Sequence, residues 1–227
     1  MLVLALDTTH HQGSIALARE GRILEVAAIE APDGFGHTIY QEIETLLARH
    51  GVRLADLDCY AAASGPGSFN GIRVGLSVVK SLAEAHQKQV VPVSNLMAMA
   101  FAAEGRYRAP VMDARRGQVF AAVYDESLRV VTPEVATPWD DFLALVGERE
   151  MTFVTTDAGL FEAAGAAPLE GSARAGWRRV TVSARLAAPI ALIAAARLRE
   201  GLALSPEAVD ANYVRRADAK GNWQDLA

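Results

Sequence analysis

The apolar positions of this chain fall into short runs and helical stripes that outline its elements in order. Leu2–Leu6 is a branched, apolar run ending at Asp7, the pattern of a buried strand. Gly13–Ala18 alternates as a second strand, and Ile23–Ile29 follows a turn at Gly21 as a third, so the chain opens with an antiparallel meander. After the punctuation Asp33-Gly34-Phe35-Gly36, residues Ile39, Ile43, Leu46 and Leu47 recur at helical spacing up to His50–Gly51. Leu57–Ala63 predicts a strand running into Ser64-Gly65-Pro66-Gly67-Ser68-Phe69-Asn70-Gly71, the most glycine-dense loop of the chain. A helix from about Ile72 to His86, a strand over Val90–Val93 and a helix through Leu96–Ala102 complete this first half.

The pattern then restarts. Val3–Asp7, a short loop, Gly13 and the alternating run 14–18 find a counterpart in Pro110–Asp113, a short loop, Gly117 and Gln118–Val123. A third apolar stretch follows each, Arg22–Val26 in the first and Leu128–Val131 in the second. Self-similarity at this separation points to a duplicated meander, with chance likeness of two hairpins as the alternative. Beyond it, Phe142–Val146 reads as helical, Met151–Thr155 as a strand and Gly165–Trp177 as irregular. Ser183–Leu202 is an Ala-rich helix with Pro189 in its first turn or at a kink. The expected division is a lobe over 1–103, carrying the glycine-rich loop, and a smaller lobe over 104–227, whose last helix packs back on the first. The fold class this predicts is α/β, two related lobes with mixed sheets.

Composition narrows the classes. Of 227 residues, 51% are hydrophobic and 22% charged, which suits a packed core and excludes a disordered chain. The net charge of −5 argues against a protein that grips a nucleic-acid backbone unaided, because neutralised phosphates supply most of that affinity. A single cysteine, Cys59 within an apolar run, excludes an internal disulfide and reads as a buried core residue. The start MLVLALDTT lacks a basic leader and reads as a strand rather than a signal peptide. The longest apolar segment, Leu186–Ala196, is too short for a bilayer of about 30 Å. No membrane association and a cytoplasmic location are therefore expected.

Candidate chemistry concentrates at two strand ends. The loop 64–73 stands between a strand and a helix, where glycines let backbone N–H groups approach an anion. It lacks a Walker lysine, since Gly71-Ile72 stands where the Lys-Ser/Thr pair would be. Asp7-Thr8-Thr9 could hold a nucleotide phosphate or its magnesium, or Asp7 could simply cap its own turn. A nucleotide site would comprise Asp7, Thr8, Gly65, Gly67 and Ser68. Asp113-Ala114-Arg115-Arg116 is either a second ligand contact or a surface charge cluster. The five histidines show neither HxxxH nor HExxH spacing, and no catalytic residue is identified.

The helix 72–86 has more to offer. Ile72, Leu76, Val79 and Ala83 form one apolar stripe, while Val74, Val78, Leu82 and Ala85 lie nearly opposite. One stripe suffices to dock a surface helix, so the second predicts a cover, either another helix of this chain or a partner. Together with Ile39, Ile43, Leu46 and Leu47 of the preceding helix, it defines an expected partner interface.

Taken in order, Leu4-Ala5-Leu6-Asp7-Thr8-Thr9, the segment 65–75, Pro92–Leu96, Met112–Phe120 and Asn212–Arg216 resemble the TsaB (YeaZ) family over most of the chain. Asn70, where Thr is usual, and the His10-His11 turn are small departures. The resemblance implies an actin-like, sugar-kinase-like (ASKHA, RNase H-related) fold. It also implies a part in placing a threonylcarbamoyl group on the adenosine next to the anticodon of tRNAs reading codons that begin with A. In that system the catalytic paralogue is TsaD, which works with the ATPase TsaE and carries a metal-binding HxxxH. The matching stretch here is 93–99, which puts Asn95 and Met99 at the two histidine positions, neither a credible ligand. The resemblance thus implies a non-catalytic subunit with no metal and no required cofactor, leaving room for weak ATP or ADP binding. Its partners would be TsaD and TsaE, and two copies could pair when TsaD is absent. The tRNA would be met through the complex, with local help from Arg115, Arg116, Arg215 and Arg216. A small-molecule kinase or ATPase and a metallopeptidase remain as alternatives.

Overall fold

The computed structural model describes residues 1–30, 34–36, 38–163 and 176–215. Strand β1 (Leu2–Asp7) pairs antiparallel with β2 (Gln12–Arg19), and β2 with β3 (Arg22–Glu30). On the other side of β1 lie β4 (Cys59–Gly65) and then β5 (Gln89–Ser94), both parallel, giving the order β3-β2-β1-β4-β5. The second sheet repeats this scheme strand for strand. Its members are β6 (Tyr107–Arg115), β7 (Gln118–Asp125), β8 (Val130–Pro138), β9 (Thr152–Thr155) and β10 (Arg178–Thr181), in the order β10-β9-β6-β7-β8. The duplication therefore extends from the meander to the whole five-stranded unit, including the parallel pairs β6–β9 and β9–β10.

Helices sort onto the sheet faces by side-chain size. On β1, Leu4 and Leu6 face α1 (Ile39–Arg49) and α2 (Phe69–His86), while Val3 and Ala5 face the opposite way. On that opposite face Ala16, Ala18, Ala61 and Ala63 meet the alanines of α6 (Ala187–Arg199), so small residues on both sides allow a close approach. Helix α6 is thus sandwiched at the centre, which explains why its sequence has no polar face. Pro189 sits in its first turn, where a missing N–H costs nothing. Beside it α3 (Asn95–Phe101) lies against the second sheet, whose outer face is covered by α4 (Trp139–Val146) and α5 (Leu160–Ala163) around Trp139, Phe142 and Phe153.

Arg108, nearly buried, fastens α3 to the second sheet. Its guanidinium donates to the carbonyls of Ala100 (3.0 Å), Ala103 (3.1 Å) and Asp125 (2.6 Å). Burial holds its pKa below the usual arginine value, and cationic donors at the end of α3 complement the helix dipole.

Three expectations are corrected. The third strand of the second sheet is β8, later and longer than Leu128–Val131, and β10, with Val180 its one apolar residue, is not among the expected strands. The residues placed on a partner face, Ile39, Ile43, Leu46, Leu47 and Val78, are 0–5% exposed and belong to the chain's own core. Of the expected irregular segment 165–177, residues 165–175 lie outside the described ones. Trp177 is buried, with its indole N–H donating to the Arg149 carbonyl at 2.8 Å.

Candidate functional site

The strand end Asp7-Thr8-Thr9 and the loop after β4 come together as one buried knot. Asp7 Oδ1 accepts from the Thr9 backbone N–H at 2.9 Å and from the Thr9 hydroxyl at 2.6 Å. Asn95, fully buried at the start of α3, donates through Nδ2 to Thr9 Oγ1 at 2.6 Å and accepts from the Gly65 N–H at 3.1 Å. Thr8 Oγ1 donates to the Gly71 carbonyl at 2.7 Å, and the Ser68 N–H donates to the Thr9 carbonyl at 2.9 Å. The residues expected to meet a nucleotide, Asp7, Thr8, Gly65, Gly67 and Ser68, are therefore assembled, but largely on one another.

The glycines explain the closeness. A Cβ at Gly71 would lie 1.9 Å from the Thr8 carbonyl oxygen, and one at Gly67 would lie 2.7 Å from Thr9 Cβ. A Cβ at Gly75 would meet Thr8 Oγ1 at 2.5 Å. Their absence lets α2 and its loop seat directly on the β1–β2 turn. Ser68 caps α2, its hydroxyl accepting from the Gly71 N–H at 3.3 Å. The N–H groups of Gly65 and Ser68, which would have to face a phosphate, already have protein acceptors. At this turn two buried side-chain atoms have no hydrogen-bond partner among the described residues, His10 Nε2 and Asp7 Oδ2, and the carboxylate oxygen is the one suited to a phosphate-bound magnesium.

Beside this knot a cleft of about 430 Å³ opens between the two lobes. Pro66, Gly67 and Phe69 line one wall, the tip of the β6–β7 hairpin the other, and the segment 212–215 the floor. That segment straps the lobes together. The Asn212 N–H donates to the Ser64 carbonyl at 2.8 Å and its Nδ2 to Glu134 Oε2 at 2.6 Å. Glu134 Oε1 also accepts from the hydroxyls of Ser94 and Tyr124, joining α3, β7, β8 and the strap. Burial first, and this carboxylate second, push the Tyr124 hydroxyl far above its ordinary pKa. Arg215 donates to the Ala114 carbonyl at 2.7 Å and to Gln118.

The aromatic rings of the cleft were not visible as a unit in the sequence. Phe69 and Tyr213 stack at 5.2 Å between centroids. The Arg73 guanidinium lies 3.9 Å from the centroid of the Phe69 ring and donates to the Tyr213 hydroxyl at 3.1 Å. Phe69 opens α2 within the glycine loop and Tyr213 stands 144 positions on in the chain, so nothing in the sequence signalled that they stack.

The remaining sequence candidates separate. Met99 is fully buried among the residues between the sheets. On α2, Val74 and Leu82 are half-buried and Ala85 is exposed, next to exposed Ser77 and Ser81, while α1 turns Tyr40, Thr45 and Ala48 outward. Cys59 is buried, and its thiol is pushed up to about 12 chiefly by that burial. Arg216 lies outside the described residues. Among the described residues no three His, Cys, Asp or Glu side chains converge as a metal cluster, and no helix is long and apolar enough to cross a membrane.

Comparisons with known proteins decide the family. The family model of TsaD, tRNA N6-adenosine threonylcarbamoyltransferase, matches residues 30–152. The tRNA threonylcarbamoyladenosine biosynthesis protein TsaB of Bacillus subtilis is 30% identical over 157 residues, 66% of this chain and 68% of that protein. The chain belongs to the TsaB family. TsaB of Haemophilus influenzae is 36% identical over 134 residues, 57% of this chain and 56% of its own. YeaZ from Pseudomonas aeruginosa superposes with a TM-score of 0.73 at 25% identity, covering 93% of this chain and 100% of that one. The activator of 2-hydroxyisocaproyl-CoA dehydratase from Clostridium difficile, solved with bound ADPNP, shares the fold alone, with a TM-score of 0.52 at 11% identity over 88% of this chain and 97% of its own. The two-lobed architecture of this TsaB-family chain is accordingly the actin-like, sugar-kinase-like fold.

Proposed function

We propose that this chain is a non-catalytic subunit in the formation of threonylcarbamoyladenosine on tRNA, a scaffold that docks the catalytic paralogue TsaD and works alongside TsaE. Membership of the TsaB family puts the chain in threonylcarbamoyladenosine biosynthesis. The non-catalytic part rests on one observation above all. At the positions matched to the paralogue's metal-binding histidines stand Asn95, whose amide is engaged by Thr9 and Gly65, and Met99, which is packed in the core. An amide tied into two buried hydrogen bonds and a thioether among alanines offer nothing to a hard or borderline metal.

The docking face in this reading is the outward side of α2, with Val74, Leu82 and Ala85 retained from the expected set and Ser77 and Ser81 between them. Small exposed residues at this spacing allow another helix to approach closely. A second copy of the chain would meet the same face when TsaD is absent. No cofactor is required in this reading; weak ATP or ADP binding would draw on Asp7 Oδ2, through a magnesium ion, while the Gly65 and Ser68 N–H groups are already engaged. A cytoplasmic location, with tRNA, belongs to the same reading.

The test is to mix the full chain with TsaD and TsaE and to follow association by size and tRNA modification by nucleoside analysis. Association and a gain in modification are expected. Full modification by TsaD and TsaE without this chain would sink the scaffold role. Ala85→Arg is expected to leave the fold intact and weaken association by roughly 3 kcal/mol, the order of an unpaired charge buried at a contact. Calorimetry showing Asp7-dependent, magnesium-dependent ATP turnover by the isolated chain would favour a kinase or ATPase instead.

A further inference from the structure

We propose that the interlobe cleft of this chain binds an unpaired nucleotide of an RNA strand, its base stacked on Tyr213 and its flanking phosphodiesters met by Arg115 and Arg215. The choice of RNA rests on the tRNA reading above, while the site itself rests on four observations. The first is electrostatic. The chain is acidic overall, at −5, yet among the described residues those lining the cleft include three arginines and no acid. A basic lining on a negative protein favours a polyanion at that place.

The second is the aromatic stack. Phe69 and Tyr213 remain 42% and 40% exposed although they pack on each other, and Arg73 caps the Phe69 end. Exposed stacked rings beside arginines are the arrangement on which bases of a single strand pile, because every base offers a π-face. Third, Arg115 and Arg215 are placed at the cleft, and the ion pair and hydrogen bonds they make use only part of a guanidinium's five donors. The Arg115 side chain is 87% exposed and is tied to exposed Asp113 at 3.2 Å, a contact that a phosphate can replace. Arg215 is held by Ala114 and Gln118 with its guanidinium 5.6 Å from the centroid of the Phe120 ring, which fixes it where the floor of the cleft meets the hairpin wall.

The fourth observation separates a strand from a free nucleotide. A polyphosphate needs several donors converging on one point, and three of the loop's N–H groups, those of Gly65, Ser68 and Gly71, already have acceptors in Asn95, Thr9 and the Ser68 hydroxyl. The arginines that line the cleft come instead from the hairpin tip and the strap, with Arg215 hydrogen-bonded to the Ala114 carbonyl beside Arg115, and a phosphodiester there meets side-chain cations rather than a backbone cradle.

The experiment measures binding of a short fluorescent single-stranded RNA to the full isolated chain by anisotropy, at several salt concentrations. Saturable binding that weakens with salt is expected. Tyr213→Ala should weaken it about tenfold, whereas Tyr213→Phe, which keeps the ring, should retain wild-type affinity. Arg115→Ala, at an exposed tip, should lower the salt slope by about 0.7, the share of one phosphate on a single strand. Circular dichroism checks that the strap variants keep the fold. Absence of binding at low salt, equal affinity of Tyr213→Ala, equal affinity for a blunt duplex, or displacement by stoichiometric ADP or ATP would each overturn the proposal. Because TsaD is absent from this assay, failure here leaves the scaffold role standing, and failure of TsaD association leaves this result standing.

Discussion

The β1–β2 turn and the β6–β7 turn occupy the same place in the two repeats and begin with the same hydrogen bond. Asp7 Oδ1 accepts from the Thr9 N–H at 2.9 Å, and Asp113 Oδ1 accepts from the Arg115 N–H at 2.7 Å. Their surroundings could hardly differ more. Asp7, Thr8 and Thr9 are 1–2% exposed beneath the glycines of α2, while the Asp113 and Arg115 side chains are 43% and 87% exposed. Among the described glycines of the second repeat, none would place a Cβ against the Asp113 turn. A duplicated local device thus takes opposite roles according to what packs over it. Covered, it becomes a seam between helix and sheet. Uncovered, it becomes a presenting tip, with Arg115 and Arg116 both in the left-handed region at φ 62° and 57°.

Gly71 is where this contrast is most exposed to refutation. Gly71→Ala places a methyl 1.9 Å from the Thr8 carbonyl oxygen, which is backbone on both sides and cannot swing away. The expected loss is about 3 kcal/mol, at the upper end for overpacking, read as a shift in the urea midpoint with an unchanged slope. A loss below about 1 kcal/mol, the size of an ordinary mutation, would mean that the first turn is no more tightly covered than the second.

Asn95→Ala probes the polar side of the same seam. It removes the acceptor of the buried Gly65 N–H and the donor to Thr9 Oγ1 together. Stranding buried polar groups costs about 1–3 kcal/mol each, and relaxation around a small residue recovers part, so a net loss of about 2 kcal/mol is expected from the same denaturation curves. A neutral outcome would show that Asn95 is not a structural replacement for a ligand, and the non-catalytic reading would lose its main support.

Periodicity carried the reading of β1–β3, α2 and the restart near residue 110, because those elements bury one face or both and their apolar spacing records it. It could not supply β10, a four-residue edge strand whose one apolar residue, Val180, is too little to show a period, nor the full β8, whose prolines 133 and 138 fit an edge strand. It also could not say what covers a stripe. Ile39, Ile43, Leu46 and Leu47 have the spacing of a docking face, and the cover turned out to be the chain's own β-sheet. At the site, the pairing of Asp7 with the glycine loop was legible. The use of those glycines for close approach was not, since it depends on where Thr8 lies in space. Glu134 was invisible for the same reason: its partners Ser94 and Asn212 stand 40 and 78 positions away.

The smallest effect belongs to the second turn. Gly117 sits at φ 70° with nothing within 4 Å of where a Cβ would stand, so Gly117→Ala meets only the left-handed backbone preference. About 1 kcal/mol is expected, measured in the same urea series as Gly71→Ala. The two arginines before it already tolerate that conformation, which argues that the tip can absorb a third side chain without rearranging. The contrast between the turns stands if the two glycine substitutions differ by about 2 kcal/mol or more, the gap between overpacking and a bare backbone preference. Should Gly117→Ala match Gly71→Ala, the hairpin tip must be held by packing of its own, and its arginines would be structural rather than presented to the cleft.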